Sequence, residues 1–237
     1  MGKSGGSAAT RWLIIASGSA LLAPDACAGA WTLPAKASQT IATFSRETHE
    51  FGQTWRADDY SEYGLGGGWE VNFKVETQTR IGIENDSRTG VRAGLQKSFA
   101  LGERASFSIS GSALSGESVD GPDCEGEGYE ARAAIGTSFN LFGREGFVNF
   151  EGASKQRENT CHRTSFELTT GIEVFPKKLT LMGKAWTEDG SYAHSAKVEA
   201  TLYYDWDSKL RIGAGWREEI SGDFDEKGWV VSVWRKY

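Results

Sequence analysis

The sequence predicts an all-β fold: a transmembrane antiparallel up-and-down β-barrel of about 12 strands, with 10 or 14 as the neighbouring solutions. Three observations carry this. Beyond residue 30, apolar residues recur with a period of two along almost the whole chain, and no amphipathic helical segment interrupts them. The alternating segments run about 10 to 13 residues; at roughly 3.3 Å per residue this suits a tilted bilayer crossing and exceeds the usual soluble strand. No apolar run reaches the length of a transmembrane helix, and a 39% apolar content with negative mean hydropathy is what strands wet on one face and lipid-facing on the other average to.

Residues 1–30 read as a cleavable secretory signal peptide and 31–237 as the barrel. Lys3 and Arg11 supply positive charge, residues 12–23 a short apolar stretch, and small residues follow. Ala26-Cys27-Ala28 and Ala28-Gly29-Ala30 both fit the cleavage pattern, and the expected cut is after Ala30. A lipoprotein site at Cys27 is disfavoured, because Pro24, Asp25 and Ala26 precede it where a lipobox requires leucine. Losing Lys3, Arg11 and Asp25 takes the formal charge from −6 to −7, so no basic tract remains for nucleic acid.

In chain order the strands are expected at 37–48, 59–70, 73–84, 90–99, 104–116, 128–141, 147–156, 164–175, 179–188, 194–206, 209–219 and 228–237. The third and sixth show the alternation best. Phe73, Val75, Thr77, Thr79, Ile81 and Ile83 share one face, against Lys74, Glu76, Gln78, Arg80, Gly82 and Glu84. Tyr129, Ala131, Ala133, Ile135, Thr137, Phe139 and Leu141 share another, against Glu130, Arg132, Ala134, Gly136, Ser138 and Asn140. A soluble sandwich does not bury such a second face, although a soluble periplasmic β protein is the competing fold. Connections after even strands are tight (71–72, 100–103, 142–146, 176–178, 207–208), and most of those after odd strands are longer and more polar. Short periplasmic turns and longer outer loops produce that asymmetry, with both termini in the periplasm.

Cys124 and Cys161 fall in successive outer loops, 116–127 and 156–163, in a compartment that permits disulfides, so a bridge stiffening the rim is expected. Trp69, Phe99, Phe142, Phe175 and Trp206 collect at one set of strand ends and Tyr129, Trp216 and Trp229 at the other, as interfacial girdles do.

The cleavable leader, the repeated amphipathic strands and the last strand Gly228-Trp229-Val230-Val231-Ser232-Val233-Trp234-Arg235-Lys236-Tyr237 together resemble proteobacterial outer-membrane barrels. The aromatic end resembles the signal read by the barrel-assembly machinery, except that Arg235 stands where an apolar residue is usual. Ala30-Trp31-Thr32-Leu33-Pro34 followed by Gln39-Thr40-Ile41 is similar to the mature start of porin-like, transporter-type barrels of an uncharacterised family. The resemblance implies a Gram-negative outer-membrane location, with membrane lipids, lipopolysaccharide and the assembly machinery as partners, and transfers no site residues.

Catalytic motifs are weak. The outer-membrane phospholipase, a twelve-stranded barrel, needs a serine two residues beyond its histidine on the same strand face; after His194-Ser195 the residue at 196 is alanine. His49 and His162 fall in predicted loops, and three histidines make a multi-imidazole metal site a poor reading. Gly64-Leu65-Gly66-Gly67-Gly68 lacks phosphate-loop spacing and reads as strand glycines. The acidic loops 117–127 and Asp223-Phe224-Asp225-Glu226 complete no calcium loop.

The parity of the strands puts Lys74, Glu76, Arg80, Glu130, Arg132, Glu199, Arg211 and Arg217 on the lumen face, together with Glu84, Glu167, Glu173 and Lys197. Mixed charge in one interior must be paired, and it can also select solutes. The first expectation is therefore a non-enzymatic, cofactor-free, porin-like channel passing ions or small polar solutes. The alternatives are a filled structural or adhesive barrel with binding outer loops, and a lipid-modifying enzyme.

Overall fold

The computed structural model describes residues 29–49, 52–82, 86–117, 124, 126–158, 161–191 and 193–237. Within them alternation gives strands β1 (Ser38–His49), β2 (Gly52–Gly66), β3 (Trp69–Arg80), β4 (Ser87–Ala100), β5 (Ala105–Gly116) and β6 (Gly128–Leu141). The second half is β7 (Arg144–Arg157), β8 (His162–Phe175), β9 (Leu179–Gly190), β10 (His194–Asp205), β11 (Leu210–Gly222) and β12 (Lys227–Lys236). Each strand pairs antiparallel with its sequence neighbours, and β1 closes on β12 in a register running from Gln39↔Lys236 to Thr48↔Lys227. An even strand number makes that closing pair antiparallel and returns both ends of the barrel to one rim. We call this rim the turn end and the opposite one the loop end. The signal segment lies outside the described residues, apart from Gly29 and Ala30.

The wall is apolar outside and polar inside. Phe44, Leu95, Ile109, Ile135, Phe150, Leu168, Leu202 and Val231 each expose more than two fifths of their surface, whereas Gln39, Glu47, Glu70, Glu130, Asn149 and Arg217 are buried. A soluble β protein would invert that distribution; here the solvent that fits the outer face is lipid. Trp69, Phe99, Phe142, Phe175 and Trp206 stand exposed at the turn end, and Tyr129, Trp216 and Trp229 at the loop end. Ile135 lies mid-strand and half exposed. Its replacement by arginine is expected to cost about 2–4 kcal/mol if that position sits at the bilayer midplane. Guanidinium unfolding from liposomes reads the loss, with the rim substitution Trp229→Arg costing about 1 kcal/mol or less.

The largest departures from the sequence reading fall in β2 and β3, the latter running Trp69–Arg80 where 73–84 is expected. The β2–β3 turn is Gly67-Gly68, not residues 71–72, and β2 spans Gly52–Gly66 rather than 59–70. Gly66, Gly67 and Gly68 all adopt positive φ (89°, 60° and 78°), which side chains resist, so the glycine run turns the chain instead of continuing a strand. The first loop-end connection shrinks to residues 50–51, because residues 52–58 pair with β1 from His49↔Gly52 to Thr43↔Asp58. His49 and His162 accordingly sit at strand ends and not in loops.

At the loop end Cys124 and Cys161 form a disulfide with Cα atoms 5.5 Å apart. Both cysteines are buried. Thiol-reactive probes are expected to label the protein only after reduction, and the double serine variant should keep the barrel while loop 117–127 becomes open to proteolysis.

Candidate functional site: a charged cavity in the barrel lumen

Residues 29–33 run inside the barrel from the turn end, and Pro34, Ala35 and Lys36 are exposed at its rim. Lys36 N–H donates to the Gly64 carbonyl (2.8 Å), Gly64 N–H to the Ala37 carbonyl (2.9 Å) and Leu33 N–H to Glu70 Oε2 (2.9 Å). A Cβ at Gly64 would strike the carbonyls of Leu33 and Pro34, so glycine there permits the close approach. Trp31 fills a notch over Gly136, whose absent side chain leaves room for the indole. It also packs with Ile41 and Met182 against Phe147 and Trp234.

Above this layer lies a cavity of about 330 Å³. Gly29, Phe147, Tyr203 and Trp234 are among its lining residues, whereas Gln39, Glu62, Glu70 and Thr180, buried nearer the turn end, are not. Its wall carries nine Lys or Arg and seven Asp or Glu side chains, so the cavity is formally basic within a chain of net charge −6.

The pairing follows from register. Directly opposed residues include like charges, Lys74↔Arg92, Asp58↔Glu76 and Glu151↔Glu167, which would repel. Diagonal pairs relieve this. On one wall Arg56 reaches Asp58 and Glu76 (both 3.2 Å), and Lys74 also binds Glu76. Glu130 is the centre of a cationic cluster: Arg92 at 2.9 Å, Arg132 at 3.1 Å and Lys155 at 3.9 Å surround it, and Arg132 also binds Glu151. On the other wall Lys184 pairs with Glu167 (3.2 Å) and Arg163 with Glu188 (3.0 Å). Arg217 holds two carboxylates at once, Glu47 at 2.9 Å and Glu199 at 2.8 Å, while its guanidinium lies 5.2 Å over the Trp186 ring.

Six of the eight residues singled out by strand parity, Lys74, Glu76, Glu130, Arg132, Glu199 and Arg217, line this cavity. Arg80 and Arg211 do not. Arg80 pairs with Asp86 (3.2 Å) at the loop end, and Arg211 binds Asp205 (2.6 Å) at the turn end with its guanidinium over Trp234. Parity fixes the face of a strand but not the height along it. Lys197 and Glu167 also line the cavity, whereas Glu173 accepts from the backbone N–H groups of Glu145 and Lys177 at the turn end; Glu84 lies outside the described residues. Sequence reasoning missed Arg56, Arg92 and Glu47. Arg56 falls in a polar segment that reads as loop and Glu47 stands between Arg46 and Thr48, so neither carries a local signal, whereas Arg92 alternates with Val91 and Ala93 inside a predicted strand, a signal that was present.

Among the described residues no group of three or more His, Cys, Asp or Glu is arranged to hold a metal. His194 points outward with its Nδ1 3.2 Å from Asp223, while Ser195 on the opposite face is buried, so the two do not form a catalytic pair. In the connection to β12, Lys197 binds Glu226 (2.8 Å). Burial raises the Glu226 carboxyl above its ordinary value, Glu47 adds to the rise, and Lys197 opposes it. Such a lumen offers fixed charges and hydrogen-bonding groups to whatever enters.

No protein-family model matches the chain, and no curated protein sequence does. Among solved structures the chain is similar to the COG4313 outer membrane channel from Pseudomonas putida F1, at TM-score 0.58 and 10% identity over 88% of this chain and 98% of that one. It is also similar to the NanC porin (TM-score 0.58, 8% identity, 81% and 98% covered) and the KdgM porin (TM-score 0.54, 11% identity, 82% and 98% covered). At these identities the likeness is one of fold: the chain is a closed, all-antiparallel, twelve-stranded barrel of the kind seen in outer-membrane porins.

Proposed function

We propose that this protein is a porin-like channel of the bacterial outer membrane that passes ions and small polar solutes by diffusion, with its turn end in the periplasm. The observation that carries the reading is the cavity wall, where fixed charges of both signs are set in cross-strand pairs behind an apolar outer face. Channels select by such side-chain rings and need no cofactor. The excess of two cationic groups favours small anions. The porin fold of the neighbouring structures supports the reading, and one of them is a KdgM porin in complex with disordered oligogalacturonate.

Proteoliposome uptake tests this. Small anionic sugars are expected to enter faster than neutral ones of the same size, and cationic ones slowest. Equal, background-level entry of all three into vesicles holding folded barrel would sink the channel. The filled structural barrel is the second reading, and the packed layer of Trp31, Phe147 and Trp234 is the observation that favours it.

A further inference from the structure

What holds the first two described residues is a built receptor. Gln96 of β4 donates through Nε2 to the carbonyls of Gly29 (2.9 Å) and Trp31 (3.3 Å). Two serines of β5 donate to the same segment, Ser106 to the Ala30 carbonyl (2.7 Å) and Ser108 to the Gly29 carbonyl (3.0 Å). Asn149 of β7 accepts the Ala30 N–H at its Oδ1 (3.2 Å). All four side chains are at least nine-tenths buried, and Ala30 itself has no exposed surface.

The two cleavage patterns in the leader differ in what they leave behind. A cut after Ala30, which sequence pattern alone favours, discards Gly29 and Ala30. Gln96, Ser106, Ser108 and Asn149 would then lose the Gly29 and Ala30 backbone groups they bind and open onto the cavity that Gly29 and Asn149 line, so four side chains placed to bind one segment would be left without its first two residues. A cut after Ala28 keeps both residues.

We infer that a signal peptidase hydrolyses the Ala28–Gly29 bond, and that the new N-terminus docks into this receptor as a plug closing the periplasmic half of the lumen. Water supplies the hydroxyl that completes the Ala28 carboxylate and the proton that completes the Gly29 amine. The cleavage assignment stands on the receptor alone; the plugging role rests on the channel reading. Because Gly29 lines the floor of the cavity, the freed N-terminus would meet entering solute first. Trp31, seated over Gly136, anchors the segment behind it.

Two measurements on the full-length exported protein test this. Intact-mass spectrometry of the barrel purified from outer membranes should give the mass of a chain beginning at Gly29; a mass beginning at Trp31, or an uncut leader, overturns the assignment. In planar bilayers, Asn149→Leu should raise open-state occupancy about tenfold over the parent, the ratio set by losing roughly one buried hydrogen bond. Gly136→Val, which expels the indole by filling its notch, should act in the same direction, so the test does not depend on one variant folding. Folded variants that conduct no more than the parent overturn the plug. If neither parent nor variants conduct, there is no pore to close, and the channel reading falls while a Gly29 start would still stand.

Discussion

Replacing Arg217 with alanine is expected to destabilise the barrel by about 3 kcal/mol, since breaking a buried ion pair from one side costs about 3–5 kcal/mol. The guanidinium holds Glu47 and Glu199 together, and all three side chains are at least nine-tenths buried. Without it, two carboxylates on neighbouring parts of the wall keep their desolvation cost and lose their counter-charge. Glu199 and Arg217 are direct cross-strand partners, so the loss falls on the β10–β11 pair, while Glu47 of β1 carries it across the closing seam. Guanidinium unfolding followed by tryptophan fluorescence reads the change. Replacing Arg217 by methionine together with Glu47→Gln and Glu199→Gln should recover most of the stability, because removing a buried charge set as a unit is close to neutral. If Arg217→Ala alone leaves the midpoint unmoved, the pairing described for this wall is wrong.

The second large effect concerns selectivity. Glu130 sits among Arg92, Arg132 and Lys155 with almost no exposed side-chain surface, and it is the carboxylate that most masks cationic charge in the cavity. Glu130→Gln keeps the shape and a hydrogen-bond acceptor but removes the charge. A unit charge about 4 Å away in water is worth about 1 kcal/mol, or roughly fivefold in a permeability ratio. The anion-to-cation ratio, taken from the reversal potential across a salt gradient, is therefore expected to rise about fivefold. A ratio that stays put would mean that permeant ions do not pass this cluster. Arg211→Glu should have a smaller effect on the ratio than Arg217→Glu, since Arg211 is engaged by Asp205 outside the cavity lining.

Much of the fold was legible because period two is enforced twice over, by lipid outside and by charge within. Phe73 alternating with Lys74, or Ile135 with Gly136 and Ala134, announces both faces without reference to any other strand. The misplaced second strand shows where that logic stops. Residues 52–58 carry Gln53, Arg56 and Asp58, and a strand bearing so many polar side chains reads locally like a loop until its pairing with β1 is known. The glycine run 64–68 was ambiguous for a related reason: absence of a side chain serves close packing at Gly64 and turning at Gly66 to Gly68. The cavity was half legible. Charge identity and face come from parity, but which charges share a height is set by register and barrel shear, as the fates of Arg80 and Arg211 show. The luminal N-terminal segment was not legible at all, because its partners Gln96, Ser106, Ser108 and Asn149 lie on three strands that only closure of the barrel brings around it.

Single-channel recording of the refolded mature protein, beside Asn149→Leu, in a planar bilayer under a salt gradient tests the central claim most directly. The charged, plugged lumen predicts discrete current steps with an anion-leaning reversal potential, brief in the parent and prolonged in the variant. A folded, protease-resistant barrel that inserts and passes no current in either form would contradict it, and would leave a filled structural barrel in place of a channel.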